Sequence, residues 1–296
     1  MTTNLPHEAI DISKAKEDFR NYNDSENQQM NVVLKHYRDM RSNQTVAFVK
    51  KMNEKYSFEP GKHRAEMTIR EVFKVLETYV DSSDPDVSLP NMIHMFQTAE
   101  GIRKAGYPDW FQLVGLIHDM GKLMFLWGDE SCGQVGTATG PQWALGGDTW
   151  VVGVRIPDCT ILPQFNSLNP DMADPAYNTE TGMYTEGCGL DKLLFAYGHD
   201  EYLYQMCIAN KCTIPPEGLS MIRFHSAYPW HTGGAYRQFM TPHDHEMMKW
   251  VLEFNKFDLY TKDEAGLRKL DKDVEELWAY YQPLIDKYFP TSKLLW

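Results

Sequence analysis

The stretch Leu113–Lys122, LVGLIHDMGK, sets an imidazole, a carboxylate and an ammonium among Leu113, Val114, Leu116 and Ile117. Taking three such groups out of water together costs several kcal/mol unless partners meet them. A chain carrying this segment must bring those partners from elsewhere to one point. That requirement restricts the fold more than any local propensity does.

Ten histidines are available, and four sit in apolar surroundings. His94 lies between Met92, Ile93, Met95 and Phe96; His118 follows Leu116 and Ile117; His199 follows LLFAYG; His225 follows MIRF. Each is expected to face inward, on four separate helical stretches. Neutral imidazole is the commonest metal ligand, so one shared metal site would satisfy all four. Two carboxylates join them. Asp119 adjoins His118, and Asp258 shares a helical face with Phe254 and Val251, four and seven residues earlier. Four imidazoles and two carboxylates exceed what one tetrahedral zinc accepts. They suit two metals sharing a carboxylate, with Asp119 the natural bridge. A set of nitrogen and oxygen donors without cysteine favours iron or manganese.

Other patterns are weaker. His243 and His245 are two apart at a helix start and point to different faces. Asp200 repeats the His-Asp pair after His199 but precedes Glu201 in a polar patch, so a solvated acid is expected. His7, His36, His63 and His231 have polar or turn-like neighbours and no evident partner.

The 296 residues and 43% hydrophobic content suffice for a sizeable core, and 41 acidic against 29 basic residues leave a net charge of −12. Such a surface repels phosphate backbones and anionic bilayers, so neither nucleic acid nor membrane is an expected partner. Five cysteines without a CxxC pair fit free thiols in a reducing compartment. The N-terminal stretch lacks the apolar core of a secretory signal, and no apolar run reaches membrane-spanning length. A cytoplasmic monomer is expected.

Helical periodicity runs through 30–56, 67–80 and 91–106, then 109–121 with Gly121 as a C-terminal cap. Asn91 reads as an N-cap after the loop 81–91. Residues 128–140 are rich in Gly, Ser and Thr and read as an exposed surface loop inserted between motifs. Residues 148–189 have no sustained period, with one short strand at 150–154, and a loop of that length suggests a cover over a site. Helices resume over 190–211, 216–231, 241–262 and 264–289, with Thr241, Pro242 and Asp244 marking a start. The reading is all-α: one helical-bundle domain over 1–296, with a partly extended arm at 1–30, long irregular loops and at most a short strand pair.

The segments FRNY (19–22), SDPDVSLPN (83–91), FQTAEGIRKAG (96–106), DWFQLVGLIHDMGK (109–122), PQWALGGDT (141–149), YGHDEYLY (197–204), MIRFHSAYPWH (221–231) and FNKFDLYTK (254–262) resemble the myo-inositol oxygenase family, a divergent branch of the HD-domain superfamily. The resemblance runs from about Phe19 onward. It implies an HD-type helical fold and a mixed-valent Fe(II)/Fe(III) pair. His94, His118 and Asp258 would hold one iron, and His199 and His225 the other, with Asp119 between. It further implies cleavage of the myo-inositol ring by dioxygen to D-glucuronate. Substrate contacts would fall to Arg20, Asp81, Ser82, Ser83, Lys122, Gly147, Asp148, Ser226 and Lys262. Lys122 and Asp119 would be the catalytic pair, the ammonium stabilising negative charge on a substrate oxygen. A metal-dependent phosphohydrolase of the HD superfamily is the alternative, and a helical scaffold with core histidines is the non-enzymatic one.

Overall fold

A computed structural model describes residues 30–83, 91–137, 140–260 and 273–296. The fold is all-α, and several of the periodic stretches divide into shorter helices. The periodic stretch 30–56 divides into α1 (Met30–Asn43) and α2 (Val46–Lys55). Thr45 caps α2, accepting from the Phe48 amide at 3.2 Å. Gln44, fully buried, turns away to bond Tyr197 through both its amide groups. α3 (Ile69–Leu76) starts with a reciprocal cap between Thr68 and Glu71, and buries Ile69, Val72, Phe73 and Leu76 at helical spacing.

α4 (Asn91–Lys104) lies against α5 (Asp109–Ile117), with Gly115 at the crossing. A Cβ at Gly115 would come 2.6 Å from Ile102 Cδ1, so the missing side chain permits the close approach. α6 (His199–Ala209), α7 (Pro216–Phe224), the single turn α8 (Tyr228–His231) and α9 (Pro242–Tyr260) follow. The expected start of α9 is present: Asp244 accepts from the Thr241 amide and hydroxyl, both at 2.7 Å. α7 packs on α6 and α9, and α10 (Val274–Tyr288) packs on α5. Strand β1 (Glu66–Met67) pairs antiparallel with β2 (Leu294–Leu295), and Trp296 behind it is fully buried.

Several expectations are corrected. Gly121 caps nothing: α5 ends at Ile117 and a 3-10 segment runs over Met120–Leu126. The helix expected from 190 begins at His199: Leu190–Lys192 is a single 3-10 turn, Phe195 bridges Val151, and Ala196 bonds the Trp150 carbonyl at 2.7 Å. The strand expected at 150–154 reduces to an isolated bridge between Val151 and Phe195. Within 128–140, Cys132, Gly133 and Gln134 are buried, with Gln134 accepting from Tyr56 Oη at 2.5 Å, so the centre of this segment is core. The irregular stretch 148–189 is pinned rather than draped. The buried Arg41 guanidinium bonds Asn166 and the Ile161 carbonyl, and Asn169 bonds the Arg41 and Gln44 carbonyls. Among the described residues, no helix is long and apolar enough to cross a membrane.

Candidate metal centre

Four helix ends and one helix face meet at the centre of the molecule. His118 ends α5, His199 begins α6, His225 ends α7, His94 lies in the first turn of α4, and Asp258 is near the end of α9. As its spacing predicts, Asp258 shares a buried face with Val251 and Phe254. All five are buried, and so is Asp119.

Asp119 sits where α5 gives way to the 3-10 segment. In 3-10 geometry residues three apart eclipse, which brings Lys122 Nζ to 2.9 Å from Asp119 Oδ2. The carboxylate divides its two oxygens between two groups. Oδ2 faces His118 and His94 at 3.6 and 4.0 Å, and both imidazoles also face Asp258 Oδ1, at 3.3 and 2.9 Å. Oδ1 faces His199 at 3.0 Å and His225 at 3.9 Å. Two groups of imidazoles share one carboxylate.

The imidazoles are oriented from behind. Nδ1 of His118 donates to the Gly115 carbonyl at 2.9 Å, that of His199 to Leu145 at 2.6 Å, and that of His225 to Met221 and Ile222 at 3.2 and 3.0 Å. A carbonyl only accepts, so each of these rings has a proton on Nδ1, and Nε2 is the nitrogen that faces the centre. The consequences are costly without a cation. Nε2 of His118 is buried with no hydrogen bond, and Nε2 of His199 and His225 face each other at 3.0 Å. A metal ion is what such a donor set fits. Phe254 closes the apolar side, 5.2 and 5.9 Å from the rings of His118 and His225.

The electrostatics agree. Burial raises the Asp119 pKa, but Lys122 and the surrounding imidazoles outweigh it and hold the carboxyl well below its usual range. Burial lowers the Lys122 pKa, yet Asp119 and Asp81 keep the ammonium well above its ordinary value. At His225, burial is overcome by Asp200, Asp119 and Asp258, which push its pKa to about 10. A site that concentrates negative charge enough to hold a proton there also attracts metal cations.

The family model for myo-inositol oxygenase matches residues 30–296. The chain belongs to the myo-inositol oxygenase family. Curated inositol oxygenases from Mus musculus and Homo sapiens are 50% and 46% identical to it, over 95% of this chain and 92% of each relative. A probable inositol oxygenase of Oryza sativa subsp. japonica is 42% identical over 94% of this chain and 85% of its own length.

In this member of the family, a narrow, mostly polar cleft opens onto the centre. Asp81, Ser83, Lys122, Gly147 and Ser226 line it beside His94, Asp119, His199, His225 and Asp258, with His118 behind them. Lys122 Nζ reaches Asp81 Oδ2 at 2.8 Å and Asn91 Oδ1 at 3.3 Å besides Asp119, which employs all three of its donors. Asn91, read as a helix cap, thus supplies the lysine. Asp81 accepts from Ser83 as well, and its carboxyl is held below its usual range: Lys122 and Ser83 overcome the effect of burial.

Two further sequence candidates sit elsewhere. Ser82 Oγ pairs with His36 Nδ1 at 3.0 Å, outside the cleft lining. The Asp148 carboxylate is fully buried beside Arg41 at 3.6 Å and accepts from the Ile161 amide, so it braces the backbone behind Gly147. Gly147 itself has φ +101, a conformation glycine adopts freely. Arg20 and Lys262 lie outside the described residues.

Three residues passed over in the sequence are structurally engaged. Asp200 is buried, accepts from Ser226 Oγ at 3.0 Å and lies 3.0 Å from His225 Nδ1, contrary to the solvated acid expected. His36 is buried between Ser82 and the Gly146 carbonyl, and burial lowers its pKa. His231 is buried against the His225 carbonyl at 3.1 Å. The repeated His-Asp dipeptide was the available signal for Asp200. Nothing local marks the other two.

Proposed function

We propose that the chain cleaves the ring of myo-inositol with dioxygen to give D-glucuronate, using a mixed-valent Fe(II)/Fe(III) pair. The division of the Asp119 oxygens between two imidazole sets carries this reading, together with family membership. His94, His118 and Asp258 would hold one iron and His199 and His225 the other, with Asp119 available to both. Bound iron would supply Lewis acidity toward a weakly acidic ring hydroxyl and a redox-active centre for dioxygen, with the electrons for its net reduction coming from the ring that is cleaved.

The chain's own residues bind and orient the polyol. The Ser226 hydroxyl hydrogen is committed to Asp200, so Ser226 offers the cleft lone pairs that accept from a ring hydroxyl. Asp81 is a second acceptor. Lys122 spans Asp81 and Asp119, and its ammonium stabilises negative charge as a ring oxygen loses its proton. A cleft whose described non-ligand walls are an aspartate, two serines, a glycine and a lysine suits a neutral polyhydroxylated ring. Arg20 and Lys262 complete the substrate contacts in this reading.

The test loads the protein with ferrous iron under argon, then supplies dioxygen with or without myo-inositol. The reading expects two irons per chain, inositol-dependent oxygen consumption and D-glucuronate by mass spectrometry. Phosphate release from generic phosphoesters without oxygen uptake would replace it with the phosphohydrolase alternative.

A further inference from the structure

The geometry points to Asp200 as a positioning residue that sets the affinity of the second iron by holding His225 from behind, and that ties this ligand to the cleft through Ser226. The inference rests on the two-iron reading above. His225 lies between two carboxylates. Asp119 Oδ1 is 3.9 Å from its Nε2, and Asp200 Oδ1 is 3.0 Å from its Nδ1. The same Asp200 oxygen accepts from Ser226 Oγ at 3.0 Å and lies 3.5 Å from His199 Nε2. One oxygen thus touches both imidazoles of the second set and one hydroxyl of the cleft.

A simple helix-start role does not account for this placement. Asp200 is in the first turn of α6, where a negative charge is favoured. Glu201 already occupies that turn, half-buried and paired with Arg223 at 2.7 Å. Asp200 is instead turned inward, and its Oδ2 is buried without a hydrogen bond. A buried carboxylate oxygen left unbonded is destabilising, so its retention here calls for a compensating positive charge. A carboxylate behind a ligating histidine fixes its tautomer and raises its basicity toward the metal. The two carbonyls that share His225 Nδ1 fix orientation alone; Asp200 is the anionic partner.

Ferrous iron binding to Asp200→Ala and Asp200→Asn, measured anaerobically by competition with a chelator, tests the assignment. Thermal melts of the metal-free proteins are run alongside. Wild type is expected to bind two irons. Asp200→Ala should keep the affinity of the first and lose about 10- to 100-fold in the second, with a near-normal metal-free melt. Asp200→Asn retains an oxygen acceptor for His225 without the charge, so it should fall between. The paramagnetic signal of a one-electron-oxidised coupled pair should fade in the same order at limiting iron. Unchanged affinity for both irons in Asp200→Ala overturns the assignment. Equal weakening of both sites overturns it too, since it reveals a general structural role. Failure of wild type to bind a second iron would instead refute the two-iron reading itself.

Discussion

At the scale of single residues, the six-residue cluster is held by shared charge, and its members respond differently to removal. His118→Ala takes one imidazole from the set facing Asp119 Oδ2 and Asp258, so iron content should drop and turnover vanish while the fold persists; metal analysis beside circular dichroism checks this. Asp81→Asn leaves the cluster residues intact but removes one of the two anionic partners of Lys122, and should cost about 2 kcal/mol at neutral pH. The folded Asp81 carboxyl has a depressed pKa. Its contribution is therefore present above the unfolded carboxyl value, about 4, and is lost as pH falls toward the folded value. The stability gap between wild type and Asp81→Asn should hold level from pH 8 to 5 and narrow below about 4, measured by denaturant titration. His94, His118, His199, His225 and Asp258 were legible in the sequence because each polar group interrupts an apolar pattern. Asp200 was not, since a neighbouring Glu201 made it look like half of a solvated pair.

At the scale of elements, the site depends on where helices stop. Gly121 shows this best. A Cβ there would stand 2.2 Å from the His199 carbonyl oxygen, a backbone atom that cannot swing aside. Gly121→Ala should displace the start of α6, lower stability by about 1–3 kcal/mol and weaken metal binding at the His199 set; melting and metal titration of the variant check both. Periodicity located α4 and α9 well and found α3 and α5 but ran past their ends. It merged α1 with α2 and extended α6 back to 190, because the pattern records which residues are apolar and does not register the side-chain bonds of Gln44 or the pairing of Ala196 with Trp150.

At the scale of the whole molecule, segments from residue 94 to residue 258 converge on one point, so metal binding and folding are linked. Stripping the metal with a chelator should lower the melting temperature by several degrees, since occupancy at a hundred times the dissociation constant adds about 2.7 kcal/mol per site; calorimetry with and without iron checks it. No gain on adding iron would contradict the centre. The sequence by itself determined that the chain is helical, that four imidazoles and two carboxylates lie on buried faces, and that such groups need a common partner, because burial pattern and donor chemistry are local properties. Only the tertiary structure decided which oxygen of Asp119 faces which imidazole, that Asp148 turns to Arg41 and that Asp200 turns inward. Those outcomes depend on distances between residues far apart in the chain, which no spacing along it encodes.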